Sequence, residues 1–254
     1  MSFHIASVVV LAAGRGKRMN SELPKVLHPV CGRPMLLHVL AAARAVAAER
    51  TVVVLGHGYE QVVPYLPDGY VVALQAQQLG TGHALLAAAG SILPGPVLVL
   101  SGDTPLITGE VLRGLVRDHA ASGAVATVLT MELADPAGYG RVVRDADGSV
   151  LRIVEHRDAT PGELTINEVN AGLYVLPAPL ALEILAQVEA ENDQREIYLT
   201  DVIEGLRRRG EKVTGVKVSD PTLVVGVNSP IELAQAEALM NARRARKQTR
   251  SRHR

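Results

Sequence analysis

A chain of 254 residues with 48% hydrophobic and 20% charged residues can bury one large core, or a core with a small satellite lobe. Its 26 Lys and Arg offset 26 Asp and Glu, and Trp is absent, so nucleic acid is not an expected partner. The single cysteine excludes an internal disulfide; neither a membrane-length apolar run nor a charged-then-apolar leader occurs, and the expected location is the cytoplasm.

The first predicted strand, residues 7–11, leads directly into a glycine-rich turn. Gly14 and Gly16 are expected to bend the main chain with positive φ and bring N–H groups to an anion, with charge from Lys17, Arg18 and Lys25. A dinucleotide fingerprint would need glycine where Met19 stands. A Walker A loop would need glycine at Leu11 and Ser or Thr at Arg18. Predicted strands follow at 51–55, 70–74 and 97–100, alternating with helices at 35–48, 59–65, 82–89 and 109–121, the last capped by Thr108. Strand and helix alternate as in a doubly wound, mostly parallel α/β sheet of Rossmann-like type, in which ligands sit beyond the carboxyl ends of the strands. Residues 12–16, 56–58, Gln75 and 101–103 then converge on one edge.

Asp103 follows the apolar strand 97–100 and is a candidate ligand for Mg²⁺, which takes one or two protein oxygens plus substrate phosphates. After 125–131 the rhythm shortens to strands at 140–144, 150–155 and 168–175 and helices at 180–190 and 199–208, which predicts a small β-rich lobe at about 133–200. Residues 213–218 and 223–227 read as returning strands, and the second ends at Asn228, a second candidate metal oxygen. A helix closes the domain over 230–246, with Ser229 as N-cap and Pro230 at its first position. The expected domain is 1–235, and 236–254 is the end of that helix with a basic tail. Arg243, Arg244, Arg246, Lys247, Arg250, Arg252 and Arg254 make the tail a solvated helix end that frays. Cys31 reads as a small core residue.

The stretch from Leu11 to Lys25 resembles the L-x-x-G-x-G-x-R-M-x(5)-K signature of the sugar-1-phosphate nucleotidyltransferases. Lys17 departs from it, since the family usually has Thr there. Further blocks appear in the order found in the uridylyltransferase branch that acts on N-acetylglucosamine 1-phosphate: Leu74 to Ala84, Gly138-Tyr139-Gly140-Arg141, Val154-Glu155-His156, Glu168 to Gly172, Tyr198 to Asp201 and Gly226-Val227-Asn228. Arg195, where Gly or Gln is usual, is the second departure.

The resemblance covers about residues 7–235 and implies a role for each matching position. Leu11, the backbone of Ala12, Ala13 and Gly14, together with Gln75, Gly80 and Thr81, would hold the nucleotide. Gln75 would read the imide edge of uracil through an amide that offers both a donor and an acceptor. Arg18 and Lys25 would hold the phosphates. Gly140, Glu155, Asn170 and Thr200 would line the sugar-phosphate pocket, with Asn170 reading the acetamido group. The implied partners are UTP and N-acetylglucosamine 1-phosphate, the implied cofactor is Mg²⁺, and the expected state is a monomer or weak oligomer. The left-handed β-helix that performs acetyl transfer in bifunctional members has no counterpart in 236–254.

No protein nucleophile is needed, because the attacking phosphate oxygen is already anionic and the chain must align it and neutralise charge. His57, His83 and His156 are therefore not expected to act as bases. Another sugar phosphate, another base, or a module that binds a nucleotide sugar without turnover remain as alternatives.

Overall fold

The computed structural model describes residues 3–252, with side chains described through Arg246. The side chains of Lys247, Arg250, Arg252 and Arg254 lie outside the described residues, but the helix expected to end near Arg246 runs to Arg252, and Arg243, expected in a solvated tail, donates to Leu106 O at 3.0 Å and Thr222 Oγ1 at 2.9 Å.

In chain order the elements are β1 (Ser7–Ala12), β2 (Pro29–Val30), β3 (Arg33–Pro34), α1 (Met35–Ala43), β4 (Arg50–Leu55), α2 (Tyr59–Val62), β5 (Val71–Leu74), α3 (Thr81–Ala87), β6 (Pro96–Ser101) and α4 (Gly109–Ser122). The second half contributes β7 (Ala126–Glu132), β8 (Arg141–Arg144), β9 (Val150–Val154), β10 (Glu168–Pro177), α5 (Ala178–Leu185), α6 (Asp201–Arg208), β11 (Val213–Lys217) and α7 (Pro230–Arg252). Among the described residues, one nine-stranded sheet carries the order β11-β7-β10-β6-β1-β4-β5, with β8 and β9 attached at β10. β1 lies parallel between β4 and β6, and β5 extends this half in parallel beyond β4. β10 runs antiparallel to both β6 and β7, while β11 returns parallel to β7. The mixed, mostly parallel sheet is the one the alternation of strands and helices predicts.

Valine runs suit strands covered on both faces. Val8 and Val10 enter a core shared with Leu36 and Leu40 of α1 and Leu112 and Leu115 of α4, while Val9 enters the opposite core with Leu85, Leu185 and Leu206. All three valines are fully buried, each worth about 1.5–3 kcal/mol of transfer free energy. α4 starts where Thr108 accepts a hydrogen bond from the Val111 N–H at 3.3 Å. Its first residue must be glycine, because a Cβ on Gly109 would stand 2.4 Å from the Ala45 Cβ.

Four other sequence expectations change. The helix expected over 35–48 ends at Ala43 and passes through a 3₁₀ turn, Arg44–Val46, to Ala47 in the left-handed region. The helix expected over 180–190 is shifted to Ala178–Leu185. Residues 223–227 are not a strand. The Asp220 side chain accepts from the Thr222 N–H at 3.0 Å and starts a 3₁₀ turn, Pro221–Leu223. Val224 and Val227 then fill two different apolar clusters, so their apolar character serves packing rather than pairing. Cys31 is half-buried at the left-handed turn between β2 and β3, with Sγ 3.1 Å from Asn241 Oδ1 of α7.

Candidate active site

The carboxyl ends of β1, β5 and β6 border one cleft of about 850 Å³. Backbone hydrogen bonds fix these ends: the Gly102 N–H, just past β6, donates to Leu11 O of β1 at 2.8 Å, and the Gln75 N–H, just past β5, donates to Leu55 O at the end of β4 at 2.8 Å. Gly56 brings the β4 end against the glycine-rich loop, since a Cβ there would lie 2.7 Å from Ala13 O. A wider groove of about 1010 Å³ lies between α1, the start of α4 and α7, lined by residues such as Ala41, Ala45 and Arg244. It receives none of these strand ends.

The glycines of the loop do different things from those expected. Gly16 has φ 63°, and a Cβ on it would strike the Lys25 Cβ at 2.6 Å. Gly14 is not among the residues with positive φ, and a Cβ on it would meet no protein atom within 4 Å. Gly16 therefore serves the turn and the passage of Lys25, whereas Gly14 leaves open space for whatever enters the cleft. Met19 is buried and anchors the 3₁₀ turn Lys17–Met19, which leaves Lys17 and Arg18 exposed on the cleft wall.

Lys25 reaches deeper. Its Nζ donates to Asn228 Oδ1 at 2.8 Å and forms an ion pair with Asp103 Oδ2, at side-chain exposures of 11% for the lysine and 21% for the aspartate. Residues far apart in the chain thus meet at one ammonium. The two oxygens are aimed by backbone contacts: the Val227 N–H donates to Asp103 O at 2.9 Å, and the Asn228 N–H donates to Glu232 Oε2 at 2.6 Å. Asn228 is placed by the start of α7, where the Glu232 N–H also donates to Ser229 Oγ at 3.3 Å, and not by a strand end. Two oxygens already gathered about a cation suit a divalent metal that takes its remaining ligands from phosphates.

Gln75 is 3% exposed. Its Nε2 donates to Gly80 O at 2.9 Å and to His83 Nδ1 at 3.0 Å, so both amide protons are spent inside the protein. Among the described residues Oε1 has no partner, and this group presents an acceptor only. That corrects the expectation of a side chain offering both a donor and an acceptor. Gly80 has φ 104°, and a Cβ added there would lie 2.4 Å from Ile197 O and 2.9 Å from Glu196 Cβ. Thr81 Oγ1 accepts from the Leu199 N–H at 2.9 Å, which ties the start of α3 to the segment before α6.

Gly140, Glu155, Asn170 and Thr200 do not border this cleft; they form a cluster beside it. Thr200 Oγ1 donates to Glu155 Oε1 at 3.2 Å, and the Asn170 N–H donates to Gly140 O at 2.9 Å. A Cβ on Gly140 would press on both Glu155 oxygens at 3.4 Å. Burial pushes the Glu155 carboxyl above the usual range, opposed by the Thr200 hydrogen bond and reinforced by Asp201, Asp158 and Glu196. Asn170 is partly committed: Nδ2 donates to Tyr174 Oη, and Oδ1 accepts from the Gly172 N–H at 2.9 Å. Ser101 Oγ, on the cleft wall, donates to Gly172 O at 3.3 Å and joins the two clusters.

Sequence reasoning missed Gln78, Gln194 and Glu196, which border the cleft, and Glu232, which aims Asn228. Only Glu232 had a local signal, the Ser-x-x-Glu pattern at 229–232. His57 is exposed and His83 is engaged with Gln75.

Residues 8–199 match the MobA-like NTP transferase domain family. The chain belongs to that family. Within this NTP transferase family it is similar to curated proteins named Bifunctional protein GlmU. It is 46% identical over 245 residues to the one from Streptomyces avermitilis, covering 94% of this chain and 51% of that protein. It is 48% identical over 238 residues to the one from Lactobacillus delbrueckii subsp. bulgaricus, covering 93% and 52%. The chain spans about half the length of the curated relatives it matches. Among solved structures, a UDP-glucose pyrophosphorylase complexed with UDP-glucose superposes with a TM-score of 0.77 at 19% identity, covering 94% of this chain and 99% of that one. A putative glucose-1-phosphate thymidylyltransferase from Bacillus anthracis gives 0.75 at 20% identity, covering 92% and 94%. Both share the fold.

Proposed function

We propose that this chain is a uridylyltransferase that joins UTP to N-acetylglucosamine 1-phosphate, forming UDP-N-acetylglucosamine and pyrophosphate. The observation that carries the base assignment is the Gln75 amide, whose donors are consumed by Gly80 and His83. A lone acceptor suits the N3–H of uracil and opposes cytosine, whose N3 is itself an acceptor. The similarity to the GlmU proteins supports the sugar, and the cluster around Glu155 and Asn170 supplies a polar pocket next to the cleft.

Asp103 and Asn228 are the residues that would hold Mg²⁺, whose charge would offset that of the substrate phosphates. Arg18 and Lys17 face the triphosphate from the cleft wall. Glu155 and Asn170 orient the sugar so that its phosphate oxygen lies in line with the α-phosphorus, and Arg18 and Lys25 take up charge that grows on the leaving pyrophosphate. In this reading residues 1–235 form the catalytic domain, residues 133–200 the acceptor lobe, and the reaction belongs to the cytoplasm. The protein acts as a monomer or weak oligomer, without nucleic acid or a membrane. No helix of the described residues is long and apolar enough to cross a membrane.

Pyrophosphate release over a matrix of UTP, CTP, dTTP and ATP against N-acetylglucosamine, glucosamine and glucose 1-phosphates tests the reading. The expected maximum is UTP with N-acetylglucosamine 1-phosphate. A maximum at CTP would overturn the role of Gln75, and no turnover with any pair would leave only a binding module.

A further inference from the structure

The two oxygens assigned to Mg²⁺ are the two oxygens that Lys25 holds, and both contacts cannot coexist with a seated metal. A divalent ion bound to Asp103 Oδ2 and Asn228 Oδ1 would lie against an ammonium already within 2.8 Å of the second of them. Like charges at that separation repel strongly in a partly buried setting. Lys25 cannot retreat as a whole residue. Val26 and Leu27 behind it are buried in the core, the Leu27 N–H donates to Pro24 O at 2.9 Å, and the Gly16 backbone is pressed against its Cβ. Only the distal carbons can move, and the space they can move into is the cleft bordered by Lys17 and Arg18. The cradle itself does not depend on Lys25, because Asp103 and Asn228 are held from behind by Val227 and Glu232.

We propose that Lys25 is an exchangeable counter-cation. Its ammonium closes the metal cradle until a triphosphate draws it across to the phosphate oxygens, so that metal and nucleotide bind with positive coupling and free metal binds poorly. The inference rests on Asp103 and Asn228 being the metal ligands. It assigns the lysine two successive partners, and it makes the triphosphate the key that opens the metal site. By reciprocity, a metal already seated would strengthen triphosphate binding by the same factor.

The test uses Mn²⁺ alone as the probe and electron paramagnetic resonance of free Mn²⁺ as the readout, with no nucleotide and no turnover. Wild type, Lys25→Met, Lys25→Gln and Lys25→Gln combined with Asp103→Asn are compared, each first checked for a native melt. Lys25→Gln covers the case in which Lys25→Met does not fold, since its amide can still donate to Asp103 without charge. The expected result is Mn²⁺ binding roughly 10-fold or more tighter in the lysine variants than in wild type, lost again in the double variant. Equal affinity in wild type and Lys25→Gln, lost on Asp103→Asn, would overturn the exchange while leaving the metal ligands in place. Binding that survives Asp103→Asn, or no binding in either lysine variant, would overturn the ligand assignment and the exchange with it.

Discussion

Replacing Gly80 by alanine puts a methyl group where the backbone admits none. Gly80 has φ 104° and ψ 174°, a region held almost only by glycine, and other residues incur a cost of about 1–3 kcal/mol there. The added Cβ would also lie 2.4 Å from Ile197 O. That carbonyl cannot simply yield, because it accepts from the Gly82 N–H at 2.8 Å while the Ile197 N–H donates to Leu79 O at 2.9 Å. Parting the two segments breaks both bonds, each worth about 1 kcal/mol, for a total of about 3–5 kcal/mol. At about 2–4 °C per kcal/mol for a chain of this size, the melting temperature should fall by roughly 10 °C. UTP binding should fall with it, because Gly80 O also orients Gln75. Gly14→Ala is the contrasting case: no protein atom lies within 4 Å of its added methyl, so its melt should stay within about 0.5 kcal/mol of wild type while UTP binding weakens. Thermal melts and calorimetric UTP titrations of both variants check this. A Gly80→Ala protein that melts with wild type, or a destabilised Gly14→Ala that binds UTP normally, would refute the division of labour between the two glycines.

Asp103→Ala and Asn228→Ala should each remove nearly all turnover; pyrophosphate release followed across a Mg²⁺ titration checks this, and wild-type rates would exclude them as metal ligands. Arg18→Ala should lower kcat by roughly 10²-fold, more than it weakens UTP binding; a change confined to KM would show that the guanidinium does not act on the transition state. Asn170→Ala should lower the preference for N-acetylglucosamine 1-phosphate over glucose 1-phosphate and also cost about 1–3 kcal/mol of stability, since Tyr174 Oη and the Gly172 N–H each lose a partner; kcat/KM ratios and melts measure the two effects separately. Burial raises the Asp201 carboxyl to about 6, so its ionisation is harder in the folded chain and stability is lost as pH rises from about 4 through 6. Asp201→Asn should therefore match wild type at pH ~4 and gain on it toward pH ~8, by about 1 kcal/mol once its partial exposure is allowed for; a gap that narrows with rising pH would refute this.

Much of the sheet was legible because both faces of β1, β4 and β6 are covered, and such strands must read as unbroken Val and Leu runs. The cleft followed from the rule about strand ends, which brought Gln75 and Asp103 to the correct edge. What periodicity could not reach was direction and partnership. Residues 223–227 have strand composition but feed two apolar clusters, and nothing local distinguishes that from pairing. Gly14 and Gly16 look alike in sequence, yet only Gly16 takes positive φ, since the difference arises from Lys25 packing beneath the second of them. The acceptor-only character of Gln75 depends on His83 and on the Gly80 carbonyl turned by Ile197, a contact across more than a hundred residues. Cys31 looked like a core residue by type, but the left-handed turn that it occupies faces α7.

β10 begins beside the Glu155 cluster, is interrupted by a register shift between Asn170 and Leu173, and ends deep in the sheet between β6 and β7. One strand therefore both carries Asn170 of the Glu155 cluster and serves as a central beam of the core. The two regions cannot loosen independently along it: amide protons from Leu173 onward should exchange with solvent only on global unfolding, while those of the β8–β9 hairpin escape sooner. Substitutions on β8, β9 and their connections should therefore disturb the sheet that carries the cleft less than substitutions in β10 beyond the shift.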